Sequence, residues 1–183
     1  MMNFIEIVSP CLLQTNKVSL SNEEVTIISN FTKKIVSAKM NESHHKIDGS
    51  NEQKRWMTGI GGEIALGKFI NKPFVDLSIG QSNDYFSPDL KSIGLNVGVK
   101  TVEFGKFPII FKKSFKPEII VVKKNDFDFY ICGLASVDIL NKFQSESLIL
   151  SPALRARGTK TGFYGFQHLL KFNTLNELIQ LNS

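Results

Sequence analysis

Four short runs rich in β-branched and aromatic residues succeed one another between Leu95 and Gly133. They are Leu95–Val102, Phe107–Lys112, Glu118–Lys123 and Phe127–Gly133, and each predicts a strand. A fifth candidate strand, Phe74–Ser78, precedes a turn-rich segment from Gly80 to Pro88. Strands leave backbone donors and acceptors open until they pair, and a sheet must then bury its apolar faces under other elements. The chain therefore has to supply a cover, and its first seventy residues are where helices are legible.

From Ser21 to about Met40, Val25, Ile28, Phe31, Ile35 and Ala38 recur at helical spacing. Ser21 with Glu24 forms a capping box at the start. Asn41 to Ser50 is polar, contains Asp48-Gly49, and reads as a loop. A second helix is predicted from Asn51 to about Ile70, although Gly59, Gly61, Gly62 and Gly67 fall inside it. Each interior glycine costs a helix about 1 kcal/mol relative to alanine. The compensation expected here is close packing of this helix against another backbone. Further on, Val137–Phe143 predicts a short helix, Ser147–Leu150 an extended segment, and Arg155–Gly165 a basic glycine-bearing loop. Thr174 with Glu177 opens a C-terminal helix ending near Leu181. Helices first, then strands, then short helices predict one α+β domain over residues 1–183 with a central mixed sheet. Its parts are an N-terminal helical region (1–50), a core (51–143) and a C-terminal basic loop and helix (144–183).

The chain has 183 residues, enough for a real hydrophobic core, with 42% hydrophobic and 21% charged residues. Cys11 and Cys132 form no CxxC or Cys/His cluster, which argues against a zinc site or a disulfide framework. No signal-peptide pattern and no run of about 18 apolar residues is present. The expectation is a soluble, cytoplasmic protein with no membrane association. A surplus of 22 Lys and Arg over 17 Asp and Glu gives a net charge of +5, a mild lean towards a polyanionic partner. No Walker-type phosphate loop, dinucleotide fingerprint or nucleophilic triad can be assembled. His44 and His45 read as solvated loop residues and His168 as structural.

The chemistry-bearing segment is Ser87-Pro88-Asp89-Leu90, followed by Leu95-Asn96-Val97-Gly98-Val99-Lys100-Thr101. A carboxylate at Asp89 and a lysine at Lys100 suit metal-assisted phosphodiester hydrolysis. Magnesium is a hard cation that takes oxygen ligands, and Asp89 would anchor it. The ion would activate a water and polarise the phosphate, with Lys100 positioning the water or countering developing charge. Strand alternation puts positions 98 and 100 on one face and Val99 on the other, while leaving the Val99 carbonyl free to approach the metal.

At these residues the chain resembles the PD-(D/E)xK superfamily of restriction enzymes, junction resolvases and phage exonucleases. Pro88-Asp89 matches the first half of its motif, and Val99-Lys100-Thr101 resembles the common ending of the second half. Gly98 stands where the family carries its second acid, two residues before the lysine. Gly59 to Glu63 resembles the setting of a further acid that the family commonly places on a preceding helix. The resemblance spans roughly Gly59 to Ile139. It implies a restriction-endonuclease-like core and a Mg2+-dependent (or Mn2+-dependent) DNA endonuclease acting on duplex. The catalytic residues would be Asp89, Lys100 and Glu63, and the metal would be held by Asp89, Glu63 and Val99. For the acid absent at Gly98 the sequence offers Glu63 first, then Glu103, Asp84 and Asp76, although alternation turns Glu103 away from Lys100.

DNA contact is expected from Arg155, Arg157 and Lys160, because arginines on a glycine-bearing loop suit phosphate or guanine contacts. Lys106, Lys112, Lys113 and Lys116, interleaved with Phe107, Phe111 and Phe115, form a second basic group. A chain this small leaves recognition to loops on the core, and homodimerisation would double it. The rival expectation, which Gly98 favours, is a catalytically silent nuclease-fold protein that binds DNA or a protein partner. A basic interaction domain unrelated to nucleases is a further alternative.

Overall fold

The computed structural model describes residues 2–39, 49–78 and 88–183. Among the described residues the fold is α+β, with six α-helices and a mixed four-stranded sheet. The helices are α1 (Phe4–Leu12), α2 (Asn22–Lys39), α3 (Gly49–Phe69), α4 (Val137–Lys142), α5 (Pro152–Ala156) and α6 (Leu175–Leu181). None is long and apolar enough to cross a membrane. The strands are β1 (Asn16–Ser19), β2 (Gly98–Glu103), β3 (Ile109–Phe111), β4 (Glu118–Lys123), β5 (Asp128–Ala135), β6 (Gln144–Ser145) and β7 (Lys160–Phe163).

Both capping boxes form. The Ser21 N–H donates to Glu24 Oε2 at 2.7 Å, and the Glu24 N–H donates to Ser21 Oγ at 3.2 Å. At α6 the Glu177 N–H reaches Thr174 Oγ1, while the Glu177 carboxylate accepts from the N–H of Asn173, one residue earlier than in the simplest box.

The main sheet has the order β1-β5-β4-β2, antiparallel except for β2 beside β4. Side chains alternate along β4 and divide the core in two. Ile119 and Val121 pack with Ile28, Ile35, Ile60 and Leu66 of α2 and α3. Ile120 and Val122 pack with Phe4, Val8 and Leu12 of α1 and with residues of the second sheet. That second sheet, β3-β7-β6, is antiparallel and receives the crossover that returns the chain from β2 to its parallel neighbour β4. Of the four interior glycines of α3, Gly61 and Gly62 have a close approach, to side chains of the sheet rather than to backbone, whereas Gly59 has open space at its Cβ position and Gly67 only ordinary contacts. A Cβ at Gly61 would lie 2.6 Å from the Phe129 ring, and one at Gly62 would collide with the Thr101 side chain. The helix therefore sits almost on the sheet.

Several sequence expectations need correction. Phe74–Ser78 is not a strand: Phe74 is buried, but among the described residues no neighbouring strand pairs with the segment. The motif strand starts at Gly98 rather than Leu95, because 95–97 fold back on Leu90, whose N–H donates to the Val97 carbonyl. Phe107–Lys112 shortens to β3, which lies in the second sheet. Of Ser147–Leu150, Ser147 and Leu148 belong to a 3-10 turn at Glu146–Leu148, while Ile149 is extended. The basic loop is no loop at most of its length, since Arg155 lies in α5 and Lys160 opens β7, whose Thr161, Gly162 and Phe163 are buried. At the N-terminus, α1 runs through Pro10, and β1 forms an edge of the main sheet. The predicted loop from 41 to 50 lies outside the described residues except for 49 and 50, which open α3. The segment 80–88 lies outside them except for Pro88.

Candidate active site

Asp89 follows Pro88 in an exposed turn, and its Oδ2 accepts the Val99 N–H at 2.6 Å. This bond ties the turn to the start of β2. It also fixes the outward direction of the Val99 main chain. The Gly98 N–H points inward to the Pro117 carbonyl beside β4, so the next residue points the other way, off the open edge of the sheet. The carbonyl of a strand residue points to the same side as its N–H. The Val99 carbonyl is thus directed to the edge on which Asp89 stands.

Glu63 approaches from α3. Its side chain is mostly buried and makes no hydrogen bond among the described residues. Loss of hydration, reinforced by the neighbouring Asp89 carboxylate, raises its pKa from 4.5 to about 8. Burial is the larger cause, and the second shows that the Asp89 carboxylate, 26 positions away in sequence, lies near enough to act on Glu63.

Gly98 and Lys100 share the opposite face of β2, as alternation predicts. Lys100 is half-buried and closes no ion pair among the described residues. Beside Gly98 stands a group the motif does not foresee: a Cβ built there would lie 3.3 Å from Lys116 Nζ and 3.4 Å from Asp89 Oδ2. The room a motif acid would use is bordered by an ammonium and a carboxylate. Lys160 comes from β7 with its Nζ 3.0 Å above the centre of the Phe111 ring. Burial and the charge of Lys100 lower its pKa to about 8, while Glu118 opposes the shift. Lys100, Lys160 and Glu118 are therefore close neighbours.

Among the described residues, no three His, Cys, Asp or Glu side chains already converge as a ready cage for a metal ion. Two carboxylates and an outward carbonyl nevertheless fit magnesium, which commonly binds through one or two carboxylates and retains water. The crowding of Glu63 by Asp89 is a repulsion that a cation between them would remove.

The remaining candidates sort by their partners. Glu103 faces away from Lys100, as alternation requires, and pairs with Lys54 and Lys106 at 3.1 and 2.7 Å. Asp76 accepts the Ser78 N–H in an exposed turn, and Asp84 lies outside the described residues. Lys112 is paired with Glu146 at 2.6 Å. The Arg155 guanidinium donates to the Ile149 carbonyl at 2.6 Å, so it braces its own segment, whereas Arg157 is exposed. Lys160 belongs to the lysine group beside β2 rather than to a mobile loop. His168 stacks on Phe143 at 3.8 Å. Cys11 and Cys132 are both free thiols, the second buried and pushed up to about 12. Residues that sequence reasoning missed are Lys116, seen only as one of a basic run, and Glu118, seen only as the first residue of a strand.

Compared with protein-family models, with curated proteins and with solved structures, the chain matches none.

Proposed function

We propose that this protein is a metal-dependent endonuclease of the PD-(D/E)xK type, with a restriction-endonuclease-like core, that hydrolyses DNA phosphodiester bonds. The observation that carries the reading is the enclosure of Glu63 beside Asp89, at the start of the strand that bears Lys100. Two acids held in repulsion next to an outward carbonyl suit a divalent cation better than they suit a structural role. Asp89 and Glu63 would hold the ion, with the Val99 carbonyl at its edge. When bound, such an ion activates water and offsets phosphate charge. Lys100, half-buried beside Lys160, would meet the scissile phosphate and stabilise the negative charge that grows on it during attack. Lysines around the site attract a polyanion, and that attraction weakens with salt.

The test is cleavage of plasmid DNA with and without Mg2+. Cleavage that requires Mg2+, stops in EDTA, and falls at least about 1,000-fold in Asp89→Ala and in Lys100→Ala supports the reading, a size typical for lost charge stabilisation. Near wild-type cleavage by both variants refutes it.

Lys116 favours a second reading. An ammonium near Asp89 neutralises part of the charge that would draw a cation, as expected of a nuclease fold retained for binding alone. Metal-independent DNA binding without cleavage would select it.

A further inference from the structure

Resting on the nuclease reading, the geometry points to Glu118 as the acid that replaces the one absent at Gly98, delivered from the neighbouring strand β4 to the same face of the sheet. Three observations carry this. First, β2 and β4 are parallel and in register, with Gly98 opposite Glu118 and Lys100 opposite Ile120. Residues opposite one another in such a pair point to the same face, about 5 Å apart. A glutamate at 118 therefore covers the surface that an acid at 98 would cover, and glycine at 98 leaves the way clear.

Second, Glu118 Oε2 is buried and has no hydrogen-bond partner among the described residues. A buried, unpaired carboxylate oxygen is costly and calls for an explanation. A structural glutamate at this place would have closed an ion pair with Lys100 or Lys160, and it does so with neither. Third, Lys100 lies two residues beyond Gly98 on the same face, so the register that sets Glu118 opposite Gly98 also sets it beside the motif lysine rather than at a remote strand end. Carboxylate and lysine on one face at the mouth of β2 are the two charges the motif needs there. Only the strand that supplies the acid has changed. In this arrangement Glu118 supports the cation at Asp89 from the Lys100 face of β2, and among the described residues it does not form a three-acid cluster with Asp89 and Glu63.

The test pairs a loss with a rescue. Glu118→Gln should weaken Mn2+ binding, read by calorimetry, at least about 10-fold, as expected for a lost ligand or close support. It should reduce plasmid cleavage about 100-fold or more. Adding Gly98→Asp to Glu118→Gln should recover most of both. The atoms nearest a Cβ there are the flexible end of Lys116, which can shift, and the Asp89 carboxylate at 3.4 Å. A merely structural Glu118 would not be rescued from position 98. A Glu118→Gln variant that binds Mn2+ and cuts like the wild type overturns the inference while leaving the nuclease reading standing. Should Glu118→Gln fail to fold, Gly98→Asp alone decides. In the native background it should change cleavage by less than about 3-fold, because the acid is already supplied; a gain of about 50-fold or more would show that it was missing. If the wild type binds Mn2+ but does not cut, the nuclease reading fails and Glu118 is judged on Mn2+ affinity alone. If it binds no Mn2+, both fall.

Discussion

Glu63→Gln should stabilise the protein at alkaline pH in EDTA, and by an amount that grows with pH. Burial and the Asp89 carboxylate raise the Glu63 pKa from 4.5 to about 8. Below pH 4.5 the carboxyl is protonated in both the folded and the unfolded chain. Between 4.5 and about 8 the unfolded chain releases its proton while the folded chain keeps it, so folded stability falls as pH rises. Above about 8 the loss is complete. At about 1.4 kcal/mol per pH unit, the ceiling of this effect is about 5 kcal/mol. The side chain keeps some contact with solvent, so about 2–3 kcal/mol is the expected size. Glutamine has nearly the same volume and no charge to lose.

Urea denaturation of both proteins at pH 5, 7 and 9 isolates the effect, because other titrating groups cancel in the difference. The difference should swing towards the variant by about 2–3 kcal/mol between pH 5 and 9. A difference constant to within about 0.5 kcal/mol, the size of an ordinary surface substitution, would refute the burial and coupling of Glu63. Magnesium should separately stabilise the wild type at pH 9, by about 2.7 kcal/mol at a hundredfold excess over Kd, and the variant less.

Gly62→Ala should destabilise the fold by about 1–3 kcal/mol, because the added methyl collides with Thr101 and forces α3 away from the sheet; Gly59→Ala, with open space at its Cβ position, is the matched control in thermal denaturation. Arg157→Ala should reduce the salt slope of duplex binding by about 1, as for one lost phosphate contact, when measured in Ca2+ to prevent cutting. Arg155→Ala should instead lower stability, because its guanidinium holds the Ile149 carbonyl, and an unchanged melting temperature would contradict that bracing role.

Much of the site was legible because it is local. Asp89, Val99 and Lys100 lie within twelve positions, and strand alternation alone assigns Lys100 to one face and turns Glu103 to the other. Gly61 and Gly62 of α3 announced a close approach, because their helical cost needs a return and a nearby surface provides it, whereas Gly59 faces open space. The same reasoning failed for Phe74–Ser78. Its residues favour extended backbone, but a strand exists only where a neighbour accepts its hydrogen bonds, and none does among the described residues. Lys160 was misplaced for the converse reason. Its glycine-bearing surroundings suggest a loop, while burial of Thr161 and Phe163 in a second sheet makes them a strand.

The sequence by itself determined α2, α3, α4 and α6, the two capping boxes, the α+β class and the strand from Gly98 to Val102, since these follow from periodicity and from contacts a few residues apart. Only the tertiary structure decided which charges meet. Glu63 reaches Asp89 because α3 lies nearly on the sheet, and Lys116 borders Gly98 because the chain returns past it into β4. Glu118 stands opposite Gly98 because a crossover through the second sheet sets two parallel strands in register. Such register depends on the packing of both faces at once. No window of neighbouring residues contains that information.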